Sequence, residues 1–111
     1  MISYNKYRNK RTTTSDGKTF ASKKEANRYE ELKFLEKHGK IKDIELQPRI
    51  PLLVNGKSIG FYVGDFRYYD KEKQRLILED VKSPITKTPI YKLKKKILET
   101  YQPPIEIVEI F

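Results

Sequence analysis

The chain has 111 residues, enough for one compact domain and too few for two of ordinary size. At 35% charged and 37% hydrophobic, with thirteen Tyr and Phe, it must place a small core under a very polar surface. No cysteine is present and His38 is the single histidine, which excludes disulfides, thiolate zinc sites and thiol nucleophiles and leaves catalysis to carboxylates, lysines and a hard metal ion.

No apolar run approaches the roughly 20 residues of a membrane-spanning helix, and Met1 leads into polar, basic sequence, so a cytoplasmic protein is expected. The net charge of +9 is uneven. Residues 1–24 carry +6, residues 25–81 sum to zero, residues 82–96 carry +6 and residues 97–111 carry −3. Two basic blocks around a neutral middle suit a polyanion lying across one face; the plainer reading is a solvated, solubility-promoting surface.

In chain order, residues 1–18 read as a basic flexible arm or loose hairpin, with the turn-forming run Thr12 to Gly17. Ser22 opens a helix that runs to about His38 and stops at Gly39. Ser22-Lys23-Lys24-Glu25 has the spacing of a capping box. Three strands are predicted next: Ile44 to Val54, Phe61 to Tyr69, and Leu76 to Lys82, with Asn55-Gly56 as a hairpin turn between the first two. Pro84 and Pro89 interrupt the chain before a second helix, about Ile90 to Tyr101. Pro103-Pro104 ends it, and Ile105 to Ile110 forms a last strand. No repeat or domain boundary stands out, and residues 19–111 read as one domain.

Position singles out a few of the fifteen acids. On the first helix Ala26, Tyr29, Leu32 and Leu35 form an apolar stripe, and Glu25 falls near its centre while Glu30 and Glu31 point away. A core-facing carboxylate is costly unless it is hydrogen-bonded, caps the helix or meets a cation, and on helix geometry alone the cap explains Glu25. Asp65 interrupts an aromatic-rich strand, where aspartate is disfavoured, and Gly64 beside it implies a bulge or the close approach of another group. On the third strand, alternation puts Leu76, Leu78, Asp80 and Lys82 on one face and Ile77, Glu79 and Val81 on the other. Asp80 and Lys82 therefore project side by side, either as an ion pair at a strand end or as part of a site. Two aspartates on adjacent strands can hold Mg²⁺ or Mn²⁺ through oxygen, and a neighbouring lysine can orient the attacking water.

These residues resemble the PD-(D/E)xK nuclease superfamily, in which an acid on the second strand precedes an acid-x-Lys motif on the third, matched here by Asp65 and Asp80-Val81-Lys82. The chain is also similar to a phage-encoded family of small proteins described as Holliday-junction-resolvase-like. The supporting segments are Thr19 to Ala26, Ile44 to Pro48 and Gly64-Asp65-Phe66. The resemblance implies a restriction-endonuclease-like α/β fold, αβββαβ, with a mixed, mainly antiparallel sheet flanked by two helices. It implies a metal-dependent endodeoxyribonuclease acting on branched DNA, with Glu25, Asp65, Asp80 and Lys82 as catalytic residues. Glu25, Asp65 and Asp80 would be the metal ligands. The Ser-x-x-Glu helix start and the Gln-Pro of the first strand are similar to those of transposon end-cleaving nuclease subunits, which gives Glu25 its place in the site and Gln47 a supporting role. Glu79 stands beside Asp80 as the competing acid, and strand parity favours Asp80. DNA contacts are expected from Lys6, Arg8, Lys10, Arg11, Lys23, Lys24, Lys87, Lys92, Lys94, Lys95 and Lys96. A homodimer would match the twofold of a paired-strand substrate. The other readings are a nucleic-acid-binding module without a working metal site and an interaction protein of a phage particle.

Overall fold

A computed structural model of the chain describes residues 11–82 and 88–111. They fall into two compact units, Met1–Lys40 and Ile41–Phe111, a division inside the segment read from the sequence as one domain.

In the first unit, β1 (Thr12–Thr13) pairs antiparallel with β2 (Thr19–Phe20), so residues 12–20 take the hairpin alternative. Lys6, Arg8 and Lys10 lie outside the described residues. Helix α1 spans Lys23–Lys37 because Ser22, in an extended conformation, offers its hydroxyl to the Glu25 N–H at 3.1 Å and occupies an otherwise orphaned donor. At the other end Gly39 takes φ 73°, a left-handed value that ends the helix at low steric cost. Ala26, Tyr29 and Leu32 are buried, as the apolar stripe predicts. Glu30, on the opposite side, accepts from the Ser15 N–H at 3.2 Å and ties the hairpin turn to the helix.

The second unit corrects two of the predicted strands. The stretch Ile44 to Val54 is two strands, β3 (Ile41–Leu46) and β4 (Arg49–Val54), and Phe61 to Tyr69 is two more, β5 (Lys57–Val63) and β6 (Phe66–Asp70). Both breaks fall at one level: the Gly64 N–H donates to the Pro48 carbonyl at 3.0 Å and the Gln47 N–H to the Asp65 carbonyl at 3.0 Å. The causes are local. Pro48 has no N–H to give a ladder, Gln47 turns with φ 50°, and Gly64 is approached so closely that a Cβ there would lie 2.8 Å from Leu78 Cδ1. Asp65 therefore stands between strands, not inside one. Apolar residues on both sides masked the break because each flank is a separate strand.

β4 and β5 form a two-stranded antiparallel ladder closed by Asn55 and Gly56 at φ 51° and 78°. The other strands make a four-stranded sheet of order β3-β6-β7-β8, with β7 (Arg75–Val81) and β8 (Ile107–Ile110) parallel and the remaining neighbours antiparallel. Parallel neighbours need a long crossover, which helix α2 (Pro89–Glu99) supplies. Its cap is Thr88, whose hydroxyl accepts from the Tyr91 N–H at 3.1 Å. Pro89 is the first helical residue and not a break before the helix, since a missing N–H costs nothing in the first turn. Ile50, Leu52, Tyr62, Leu78, Tyr91, Leu98 and Ile107 form one core shared by the hairpin, α2 and the sheet. The architecture is α/β, two helices with a mixed and mostly antiparallel sheet. Among the described residues no helix is long and apolar enough to cross a membrane.

Candidate functional site

Asp80 is next to last on strand β7, and Lys82, one residue past Val81, immediately follows the strand. That spacing puts both on the face that Leu78 shares with the core. Lys82 Nζ is 3.4 Å from Asp80 Oδ1, with only 6% of the Lys82 side chain and 14% of the Asp80 side chain exposed. A buried pair of this kind costs desolvation on both sides, so each charge needs further partners. Asp80 Oδ2 accepts a hydrogen bond from the Tyr62 hydroxyl. Burial pushes the Tyr62 phenol far up, and the Asp80 hydrogen bond pushes it further, so Tyr62 stays a donor at all ordinary pH. Lys82 Nζ also lies 3.2 Å from the centroid of the Tyr91 ring.

Asp65 reaches the same place from the break between β5 and β6. Its Oδ2 accepts from the Val81 N–H at 2.6 Å, and Val81 is the residue between Asp80 and Lys82. Its own N–H donates to the Glu79 carbonyl at 3.0 Å, which keeps the broken strand pinned to β7. The charges of Asp80 and Asp65 both act on the Tyr62 phenol. Asp65, from the break between two strands and not from a strand as its sequence suggested, thus lies with its carboxylate on the Val81 N–H between Asp80 and Lys82. Glu79 is separated from them: its neighbours in sequence face the other way, and its carboxylate, 1% exposed, accepts from the Tyr68 hydroxyl. Gln47 contributes its backbone to the Asp65 carbonyl and leaves its side chain exposed; it sits in the break, not on the first strand.

Glu25 belongs to the first unit, half-buried in the first turn of α1 with its N–H on Ser22. Among the described residues no group of three or more His, Cys, Asp or Glu side chains converges as a metal cage. Magnesium does not require one. It keeps several waters and is commonly held by one or two carboxylates together with phosphate oxygens, a donor set that Asp65 and Asp80 fit.

Two further groups lie at the site, Tyr91 and Glu109. The Tyr91 hydroxyl donates to Glu109 Oε2 at 2.6 Å, and Lys95 Nζ is 3.6 Å from the same oxygen. Burial, and then the Glu109 hydrogen bond, push the Tyr91 phenol well above its ordinary value. Tyr62 and Tyr91 are both core aromatics, and nothing in spacing alone reveals that their hydroxyls serve two carboxylates. Of the expected phosphate contacts, Lys92 and Lys96 are exposed on α2, whereas Lys94 donates to the Phe61 carbonyl at 3.1 Å and Lys95 attends Glu109. Arg11, Lys23 and Lys24 are exposed in the first unit, and Lys87 lies outside the described residues.

The fold and this cluster define an α/β protein with a half-buried acid–lysine centre at the end of a sheet strand. The chain belongs to the DUF1064 family, described as proteins of unknown function, which matches residues 4–108. Neither a curated protein nor a solved structure matches it.

Proposed function

We propose that the protein is a metal-dependent endodeoxyribonuclease of PD-(D/E)xK type that hydrolyses phosphodiester bonds, with branched DNA as its substrate. The observation that carries this reading is the Asp65–Val81 hydrogen bond beside the buried Asp80–Lys82 pair, which gathers two carboxylates and one ammonium around a single strand end. An ion pair serving stability alone would not need a second aspartate arriving from a strand break.

Asp65 and Asp80 would hold Mg²⁺ or Mn²⁺, which would supply charge neutralisation at the scissile phosphate and a lowered pKa of bound water. The chain's own residues do the rest. Tyr62, kept protonated, gives a hydrogen bond to Asp80 and fixes the direction of its carboxylate. Lys82 presents an ammonium that can hold the attacking water or meet negative charge as it develops on the phosphate, and its burial makes that charge count for more than it would in water. Glu25 is a half-buried carboxylate in the first turn of α1 on the first unit, and its part in cleavage is tested by its own variant. Lys92 and Lys96 offer exposed charge for phosphates, and Lys23, Lys24 and Arg11 do the same on the first unit. A homodimer would supply two such centres to two strands.

The test is a cleavage panel over plasmid, duplex, flap and four-way-junction DNA, with and without Mg²⁺ or Mn²⁺. Metal-dependent cutting with preference for the branched forms is expected, and it is lost in Asp80→Ala with DNA binding retained. Binding to these DNAs without cleavage under any metal would make the protein a binding module instead.

A further inference from the structure

Lys82 carries four rotatable side-chain bonds, and an ammonium withdrawn from water keeps one position only where other groups hold it. Asp80 is one such group. The face of the Tyr91 ring, 3.2 Å away at its centroid, is the second, since the π cloud presents negative charge to a cation. The ring is itself anchored. Its hydroxyl donates to Glu109 at 2.6 Å, and its backbone N–H is fixed by the Thr88 cap at 3.1 Å. Glu109 is the Cα partner of Asp80 across the parallel β7–β8 ladder, so the two carboxylates stand on one face a strand apart. Lys95, one helical turn beyond Tyr91, is 3.6 Å from Glu109. A continuous series therefore runs Tyr62, Asp80, Lys82, Tyr91, Glu109, Lys95 across the strand ends and α2.

We infer that Tyr91, anchored by Glu109, is a positioning residue that holds the Lys82 ammonium beside Asp80. Its consequence for catalysis rests on the nuclease reading; the placement of the ammonium does not.

The first readout needs neither metal nor DNA. In ¹H–¹³C spectra of lysine-labelled protein, the terminal methylene of Lys82 is expected upfield of the other lysines, because it lies against an aromatic face. Tyr91→Leu abolishes that shift, whereas Tyr91→Phe and Glu109→Ala, which both delete the hydroxyl–carboxylate bond and keep an aromatic face, weaken it to a similar degree. A wild-type Lys82 resonating with the exposed lysines, or one unmoved in Tyr91→Leu, overturns the inference. If Tyr91→Leu fails to fold, Glu109→Ala carries the same comparison at a less buried position. In DNA cleavage, Tyr91→Leu is expected to lower kcat about tenfold with KM unchanged, and Tyr91→Phe to restore most of the loss. A raised KM with unaltered kcat would overturn the positioning role. A wild type that shows the upfield lysine yet cuts no DNA removes the nuclease reading and leaves the placement of Lys82 standing.

Discussion

Asp80 is met by two different kinds of donor, a phenol that stays protonated and an ammonium two residues on, just past the end of its strand. Removing either leaves a largely buried carboxylate short of a partner. Tyr62→Phe is expected to destabilise the fold by about 1–3 kcal/mol, measured by urea unfolding, because the lost hydroxyl leaves Asp80 Oδ2 unsatisfied. Lys82→Met keeps the aliphatic stem and its packing while deleting the charge, so cleavage should fall by about 10²–10³-fold with the protein still folded. Glycine matters at one position here. Gly64→Ala would drive a methyl to 2.8 Å from Leu78, which is itself 4% exposed and has little room to yield. A cost of about 1–2 kcal/mol in thermal unfolding is expected. The pairing of Asp80 with Lys82 is legible in the sequence, because strand alternation fixes it. The phenols behind that pair are not, because their partners come from other elements.

At the scale of elements, caps and turns were the most readable features. Ser22 accepts from an N–H three residues on, as its spacing predicts, and Thr88 does the same at the start of α2, a cap that the sequence reading misses by taking Pro89 as a break. Ser22→Ala is expected to cost about 1 kcal/mol, read by helix signal against temperature. Glu25→Gln should change stability little, since an amide oxygen can still accept at the helix start. A large loss of cleavage in that variant assigns Glu25 to the catalytic centre. The β1–β2 turn adds a pH-dependent contact. Burial, and then its hydrogen bond to Asp16, raise the Tyr29 phenol to about 12. A raised value means that the folded state favours the protonated phenol. The contribution is therefore complete below the ordinary tyrosine value near 10 and lost as pH climbs through about 12. NMR titration of Tyr29 should show that late midpoint, shifted lower in Asp16→Asn. The strand boundaries were less readable. Two apolar stretches each hid a break, because hydrophobic periodicity does not report where a chain passes from one sheet into another.

For the whole molecule, the +9 net charge is a statement about association and not about fold. Lys94 and Lys95 are engaged by the protein itself, so they contribute less to a polyanion than counting lysines suggests. The double variant Lys92→Ala/Lys96→Ala should weaken DNA binding and reduce the slope of log affinity against log salt by roughly 2, while Mg²⁺-dependent kcat at saturating DNA stays close to wild type.

The sequence by itself determined the two helices, the N-terminal cap of the first, the Asn55-Gly56 turn and the side-by-side projection of Asp80 and Lys82, all of which follow from patterns within a few residues. Tertiary structure decided the rest. It set the break that delivers Asp65 to Val81, the bond of Glu79 to Tyr68, the bond of Tyr62 to Asp80, and the placing of the Lys82 ammonium over a Tyr91 ring held by Glu109. Those contacts join residues 9 to 18 positions apart on different elements, and the β6–β7 pairing together with the packing of α2 and the β4–β5 hairpin brings them within bonding distance.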